Sequence, residues 1–206
     1  SELHKISGPR ENSTIEAKLF AEKNNIPYLS HNLSPYFSEG MKSFAYEINE
    51  SIGSIDHIIF PTGNGSLLLG TWRGFLDISE KTNFNLPKLH AAQSKAIEPI
   101  VAKFNNTDWT FDSSKTTVAS GISVSKPPRL QEIVDVIKKS KGTALSSTDV
   151  EALKWHKILA KEEGIFCEKT SAFSFSALEK LFSMGVIKKE EKIVIPITGS
   201  GLKEAI

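Results

Sequence analysis

The sequence contains a single cysteine, Cys167, with no Cys-x-x-Cys pair and no cysteine and histidine cluster at metal-ligand spacing. One cysteine excludes an internal disulfide and is typical of a reducing compartment. The histidines are scattered along the chain, so we assign no metal site and expect them at the surface or one layer behind a binding site. They are His4, His31, His57, His90 and His156.

The chain also lacks an excess of charge and any long apolar run. Lysine and arginine number 25 and aspartate and glutamate 24, giving a net charge of +1. This balance predicts no long-range attraction to nucleic acid or to an anionic membrane. No apolar run approaches the roughly 20 residues of a membrane span, and no signal-peptide core is present. We therefore expect a cytoplasmic protein without nucleic-acid or membrane partners.

Helical and strand-like patterns alternate from one end to the other. Ser13 and Glu16 have the spacing of a capping box, and the apolar stretch 26–29 (IPYL) that follows is strand-like. A second helical pattern ends at Gly53, ahead of a predicted strand from His57 to Phe60. Helix followed by strand is thus the repeating unit.

The same alternation continues in the second half. Thr148 and Glu151 form another capping-box pair, later helices are predicted to end at Gly164 and Gly185, and KIVIPI (192–197) is predicted as the last strand. Continuous apolar strands are typical of sheets covered on both faces. The predicted fold class is α/β, a mostly parallel sheet wrapped by helices. The segment 105–129 is predicted to be irregular.

A glycine turn follows the apolar residues at 58–60, in the string PTGNGSLLLG. At the carboxyl end of a parallel strand, such a turn offers free N–H groups and the positive end of a helix dipole, which suits phosphate. Two phosphate signatures fail, because the lysine of a P-loop and the third glycine of a dinucleotide fingerprint are absent; Leu68 and Leu69 stand in this region. The spacing alone is equally typical of a tight structural turn.

The wider sequence resembles threonine synthase and its relatives, the fold-type II pyridoxal phosphate enzymes of the tryptophan synthase beta superfamily. Five segments carry the resemblance, in order and with family spacing. They are SPYFSEGMKSFAYEI, PTGNGSLLLGTWRGF, LHAAQSKAIEPI, the stretch from GTALSS to SALEKL, and IVIPITGSGLK. One departure is Ser66-Leu67, where threonine synthases usually carry a second Gly-Asn pair.

The resemblance implies pyridoxal phosphate as cofactor. Thr198 would face the ring nitrogen as a neutral partner, leaving that nitrogen largely unprotonated and favouring elimination and replacement at the β and γ carbons. Glu168 would either face the cleft or cap the helix near Ser171. The cofactor phosphate would be held by the main chain of Gly63, Asn64, Gly65, Ser66 and Leu67. Residues of the irregular segment would border the substrate cleft, namely Thr117, Ala119 and Gly121.

Residues 1–31 resemble the remnant of a small N-terminal domain, and residues 32–206 resemble the large, cofactor-binding domain. No lysine here, including Lys42, Lys95 and Lys126, has the context of the family's Schiff-base lysine, so the catalytic residues are unknown. The chain is therefore expected to be the C-terminal portion of a longer enzyme. The missing N-terminal segment would lie on the same or a companion chain, and a homodimer is an open alternative.

Two functions from different classes follow. The first is part of a lyase like threonine synthase, which takes O-phosphohomoserine, eliminates phosphate and adds water; threonine or serine dehydratases and cysteate synthase are rivals within this class. The second is a non-catalytic or regulatory fragment that keeps the phosphate-binding turn. In the second case the ligand would be a phosphorylated metabolite or a partner chain.

Overall fold

The computed structural model describes residues 2–8, 10–82 and 84–204. Its helices are α1 (Arg10–Lys23), α2 (Pro35–Gly40), α3 (Ser43–Ser51), α4 (Ser66–Lys81), α5 (Pro99–Phe104), α6 (Leu130–Lys139), α7 (Asp149–Glu162) and α8 (Lys169–Ser183), with 3-10 helices at Ser120–Ile122 and Gly201–Glu204. Its strands are β1 (His57–Pro61), β2 (Lys88–Ser94), β3 (Ala144–Ser147) and β4 (Ile193–Val194).

The four strands form one parallel sheet in the order β3-β2-β1-β4. Side chains of β1 alternate between its two faces: Ile58 and Phe60 enter one apolar cluster, and Ile59 enters the other. The first cluster lies under α3, α4 and α6, and the second lies under α7 and α8. Because both faces are covered, Ile58, Ile59 and Phe60 of β1 are all buried. The predicted α/β class with a mostly parallel sheet is confirmed.

Helix ends follow the predicted signals in the second half of the chain. Thr148 is the N-cap of α7 and forms the full capping box, since its hydroxyl accepts from the amide of Glu151 while the Glu151 carboxylate accepts from the amide of Thr148. Gly53, Gly164 and Gly185 each follow a helix with φ near +70° (+75°, +68° and +69°). A positive φ satisfies the last helical carbonyls and is adopted by glycine without strain, so these predictions are confirmed.

Three local predictions are wrong. Helix α1 begins at Arg10, so Ser13 lies inside it and has no capping role. The stretch 26–29 forms no strand, because no described strand lies beside it and Leu29 is largely exposed. The last strand has two residues instead of six: β4 pairs with β1 only at Ile193 and Val194, and Pro196 has no amide to continue the ladder.

The irregular segment is confirmed, since only the 3-10 helix Ser120–Ile122 interrupts it between α5 and α6. Two histidines correct the expected surface placement. His57 and His90 are fully buried, with His57 Nδ1 2.8 Å from His90 Nε2. Among the described residues, no group of three or more His, Cys, Asp or Glu side chains is placed to bind a metal. None of the described helices has the length and apolar character needed to cross a membrane.

Candidate functional site

The glycine turn joins the carboxyl end of β1 to the start of α4. Gly65 has φ of +74°, and a Cβ there would lie 2.5 Å from Ile133 Cγ1 of α6. A Cβ on Gly63 would lie 3.0 Å from the carbonyl oxygen of Gly121. The tight-turn interpretation therefore has a physical basis, because a side chain would clash at Gly65 and would be tightly crowded at Gly63.

The amide groups of the same turn are nevertheless free. The first backbone hydrogen bond of α4 runs from the amide of Leu69 to the carbonyl of Gly65, at 2.9 Å. In the part of the chain that the structure describes, the amides of residues 63–68 donate to no backbone carbonyl. The first amides of a helix have no partner within the helix, and they carry its positive dipole end. The turn can therefore accept an anion.

A cavity of about 430 Å³ opens at this turn. Asn64 lines it from the turn, Ser123 and Lys126 line it from the irregular segment, and Lys18 and His31 line it from the N-terminal region. Its size is within the range of small-molecule sites. Of the predicted phosphate-binding residues 63–67, Asn64 is the one that lines this cavity, and the two lysines add positive charge to it. The free amides could donate hydrogen bonds to a phosphate group, and the lysines would attract its negative charge.

The irregular segment is held against the turn by Asp149, the first residue of α7. Its carboxylate accepts from the Thr117 hydroxyl at 2.7 Å and from the Val118 amide at 2.9 Å. Of the residues expected to border the cleft, Thr117 is committed to this bond and Ala119 is fully buried. Gly121 is exposed and lies against Gly63. Asp149 itself gave no sequence signal beyond its position after a helix cap.

The start of α8 lies at the same edge of the sheet. This helix leads back to β4, so its N-terminal end meets the carboxyl ends of the parallel strands, where ligands of open α/β sheets bind. Thr170 is 3% exposed, and its hydroxyl has no hydrogen-bond partner among the described residues. A Cβ on Gly121 would lie 3.0 Å from that hydroxyl oxygen. An unpaired buried hydroxyl therefore faces the segment that covers the turn.

Thr198 follows β4 at the same edge and is exposed. Its hydroxyl lies 2.9 Å from Ser171 Oγ and 2.6 Å from Glu168 Oε1, and its amide donates to Ser171 Oγ at 3.0 Å. No hydrogen bond among the described residues joins Thr198 to residues 63–67. The two are linked through neighbours: Ser171 touches Thr198, and the adjacent Thr170 lies against Gly121, which in turn lies against Gly63.

Glu168 does not cap α8. It is the N-cap residue by position, but its side chain makes no capping bond. Its carboxylate is 5% exposed and contacts Thr198 and the Lys203 ammonium instead. The hydrogen bond from Lys203 to Glu168 raises the pKa of that lysine above its ordinary value. Of the two roles left open by the sequence, capping is excluded.

An open parallel sheet with a glycine turn at its carboxyl edge is an α/β architecture that can accept a small anionic ligand there. The chain matches the profile of the family described as Pyridoxal-phosphate dependent enzyme over residues 1–199, and it belongs to that family. The predicted family resemblance is thereby confirmed.

Relatives with curated descriptions agree. The chain is 35% identical to the threonine synthase of Methanocaldococcus jannaschii over 188 residues, covering 88% of this chain and 46% of that protein. It is 29% identical to the threonine synthase of Halalkalibacterium halodurans over 205 residues, covering 99% of this chain and 56% of that protein. The chain thus spans about half the length of the curated relatives it matches.

Solved structures share the fold. The processed form of threonine deaminase isoform 2 from Solanum lycopersicum superposes with a TM-score of 0.77 at 17% identity, covering 95% of this chain and 52% of that one. Maize serine racemase superposes with a TM-score of 0.76 at 18% identity, covering 95% and 57%. At these identities the likeness establishes the fold alone.

Proposed function

We propose that this chain forms the cofactor-binding part of a pyridoxal phosphate lyase of amino-acid biosynthesis, similar to threonine synthase. The complete protein would convert O-phosphohomoserine and water into threonine and phosphate by elimination and replacement. The single observation that carries the proposal is the row of free amides at residues 63–68, at a helix N-terminus beside a cavity with two lysines.

The residues have distinct roles in this proposal. The main-chain amides of Gly63, Asn64, Gly65, Ser66 and Leu67 bind the cofactor phosphate, and the Thr198 hydroxyl faces the ring nitrogen. Lys18 and Lys126 add positive charge at the cavity. Asp149 orients the segment that covers the turn. When bound, pyridoxal phosphate supplies an electron sink for negative charge that develops on the amino-acid substrate.

The N-terminal region supports a further segment as partner. Ten large apolar side chains within residues 3–37 are exposed, and they are Leu3, Ile6, Ile15, Leu19, Phe20, Ile26, Leu29, Leu33, Tyr36 and Phe37. Such a concentration is typical of a surface that packs against more protein. We place there the remainder of the small domain, with residues 1–31 as its last part and 32–206 as the large domain. This remainder would carry the lysine that binds the cofactor.

The phosphate role can be tested with Asn64→Asp in this chain. A carboxylate beside a dianion is repelled, while at a helix N-terminus it favours the fold. We expect affinity for pyridoxal 5′-phosphate, measured by calorimetry, to fall by at least about tenfold, whereas affinity for pyridoxal, which lacks the phosphate, stays unchanged. Asn64→Ala is the matched control with little loss. Equal weakening of both ligands, or of neither, would contradict the role of the turn.

The reaction class is tested in the complete protein. Release of phosphate from O-phosphohomoserine, measured with a colorimetric phosphate assay, is the expected result. Release of ammonia from threonine or serine without phosphate release would instead assign a dehydratase. Binding of phosphorylated ligands without turnover of either substrate would assign a non-catalytic role.

A further inference from the structure

A second cavity, of about 630 Å³, lies between the irregular segment and the starts of α5 and α6. Trp109 and Phe111 line it from the irregular segment, and Pro99 and Leu130 line it from the two helices. We call it the Trp109 cavity. Its volume lies within the range of small-molecule sites and exceeds the 430 Å³ of the cavity at the glycine turn, the turn cavity. The function proposed above makes no use of this aromatic surface.

The aromatic wall of the Trp109 cavity suits a flat ligand. The ring centroids of Trp109 and Phe111 are 6.3 Å apart, and the ring planes are inclined by 43°. Trp109 is half-buried, and Phe111 is 40% exposed. Aromatic rings bind other rings favourably in offset-stacked or edge-to-face arrangements. A planar ring placed in this cavity would therefore cover apolar surface that is now in water.

The charged groups that line this cavity are cations. They are Lys103 and Lys126, and no Asp or Glu is among the described residues of the lining. The carboxylates of the irregular segment, Asp108 and Asp112, lie outside the lining. Asp112 Oδ1 accepts instead from the amide and the hydroxyl of Ser114, at 3.0 and 2.6 Å. A concave site with charge of one sign attracts ligands of the opposite sign, so the ligand should carry an anionic group.

The surface around the Trp109 cavity favours a small molecule over a protein partner. Between α5 and α6, the large apolar side chains that are exposed among the described residues are Phe111 and Val118. A protein partner needs a broad apolar surface, and that kind of surface is found at residues 3–37. Two aromatic side chains in a concavity provide enough apolar contact for a single ring system.

Lys126 connects this cavity to the turn cavity. The stretch 123–128 lies between the two: Val124 lines the turn cavity, Pro127 lines the Trp109 cavity, and Lys126 lines both. The Lys126 side chain is exposed. Its ammonium is a point charge on a flexible stem, so it can approach an anion in either cavity but cannot serve two anions fully. An anion in one cavity would therefore weaken the binding of an anion in the other, and linkage makes this effect reciprocal.

We propose that the Trp109 cavity is a second small-molecule site, which binds a planar aromatic carboxylate, and that Lys126 couples this site negatively to the turn cavity. The aromatic ring lies against Trp109, and the carboxylate lies towards Lys103 and Lys126. The site itself is independent of the function proposed above. The coupling rests on that function, because it requires a phosphate group at the glycine turn.

The test follows the indole N–H signals of the 15N-labelled chain by NMR during titration with 2-naphthoate. The chain has three tryptophans. Trp72 is buried, Trp155 Nε1 donates to Glu179 at 2.7 Å, and loss of a signal in Trp109→Leu identifies the third. We expect a saturable shift of the Trp109 signal alone, with a Kd of about 1 mM for a ligand of about 13 non-hydrogen atoms. The uncharged 2-naphthamide should bind at least about threefold more weakly.

Substitutions separate the charge from the aromatic surface. Lys103→Met and Lys126→Met keep an apolar stem and remove the ammonium, so each should weaken 2-naphthoate binding by about three- to fivefold. Lys115→Met, in the same segment but outside the lining, is the matched control and should leave the Kd unchanged. Trp109→Leu should weaken binding by at least about tenfold, measured from the line widths of the 2-naphthoate signals.

The coupling is measured by calorimetry with pyridoxal 5′-phosphate, with and without saturating 2-naphthoate. The affinity of the unchanged chain for pyridoxal 5′-phosphate should fall by about three- to fivefold, and Lys126→Met should largely abolish this fall. An equal fall in Lys126→Met would show that both ligands use one cavity and would overturn the coupling.

Three results would overturn the site itself. They are no binding of 2-naphthoate, equal binding of 2-naphthamide, and a Trp109 signal that shifts with protein concentration but not with 2-naphthoate, which would reveal a contact between copies of the chain. If 2-naphthoate binds but pyridoxal 5′-phosphate does not, the function proposed above fails together with the coupling, and the Trp109 site stands.

Discussion

The buried pair His57 and His90 predicts a loss of stability in mild acid. Thr143 donates its amide to His90 Nδ1 at 3.1 Å, so the proton of His90 lies on Nε2 and points to His57 Nδ1 at 2.8 Å. His57 then carries its proton on Nε2, which lies 3.2 Å from Glu191 Oε2, although not in hydrogen-bond alignment. Both rings are neutral in this arrangement. The hydrogen bond between His90 Nε2 and His57 Nδ1 holds one proton, and there is no space for a second proton between these two nitrogens.

The size of the stability loss follows from how far burial lowers the pKa of His90. Burial, reinforced by His57 and Lys88, lowers the pKa of His90 to about 3, and burial also lowers the pKa of His57. Below the ordinary value of 6.5 the unfolded chain therefore binds more protons than the folded one, and stability falls as the pH falls. Each pH unit costs about 1.4 kcal/mol per histidine that stays neutral, so His90 alone accounts for about 2 to 3 kcal/mol by about pH 4.5.

The assay is urea unfolding followed by tryptophan fluorescence at pH 7 and at about pH 4.5, in the unchanged chain and in His90→Gln. Glutamine is neutral at both values, so the difference in unfolding free energy between the two pH values should shrink by about 2 to 3 kcal/mol. Any general destabilisation by the substitution cancels in this difference. The exposed His4→Gln is the control and should leave the difference unchanged. An equal pH difference in His90→Gln and in the unchanged chain would refute the neutral pair.

Three further substitutions test the framework of the site by urea unfolding or hydrogen exchange. Gly65→Ala should destabilise the fold by about 2 to 5 kcal/mol, because it adds left-handed strain and a clash with Ile133. Gln93→Leu should cost about 3 kcal/mol, because the Gln93 side chain donates to the carbonyl before the turn and accepts from two amides that start α5. Asp149→Asn should speed exchange of the Val118 amide by about tenfold and change global stability by less than about 1 kcal/mol.

Controls distinguish these effects from nonspecific ones. In the background of Ile133→Ala, which removes both contacting carbons, Gly65→Ala should cost only the backbone strain of about 1 to 2 kcal/mol. No cost in that background would show that φ of Gly65 is not a constraint. Gln93→Leu with stability within about 0.5 kcal/mol of the parent would contradict the bridging role. Asp135→Asn, on the exposed face of α6, should leave Val118 exchange unchanged.

The framework could be predicted wherever local chemistry and tertiary structure agree. Continuous apolar residues at 58–60 indicated a strand covered on both sides, and Ile58 and Ile59 do enter clusters on opposite faces. The glycines that end α3, α7 and α8 have the positive φ expected from their positions. The stretch 26–29 failed for a physical reason: an apolar run specifies burial or extension, but a strand also needs a neighbour to bond with.

The candidate site was predictable only in its backbone part. Gly63 to Leu67 form a contiguous turn, so local spacing placed them correctly relative to β1 and α4, and their ligand remains a prediction. The surrounding polar contacts join distant parts of the chain. Thr198 meets Glu168 across 30 residues and Thr117 meets Asp149 across 32, and no local pattern specifies such pairs. The histidine pair was missed for the same reason, since adjacent strands bring it together from 33 residues apart.

The glycine residues of the turn and its amide groups have different physical explanations. Gly65 is explained by its positive φ and by the neighbours that a Cβ would strike, so any loss of ligand binding in Gly65→Ala would follow from a distorted turn with or without a phosphate site. The amides are different, because packing gives them no acceptor and the helix dipole makes them attractive to an anion.

Only a change that alters charge while sparing the packing can separate the two explanations. Asn64→Asp meets that condition, since Asn64 lines the cavity and a carboxylate there suits a helix start. A phosphate-specific loss of affinity without a loss of stability is therefore the result that a purely structural turn cannot produce.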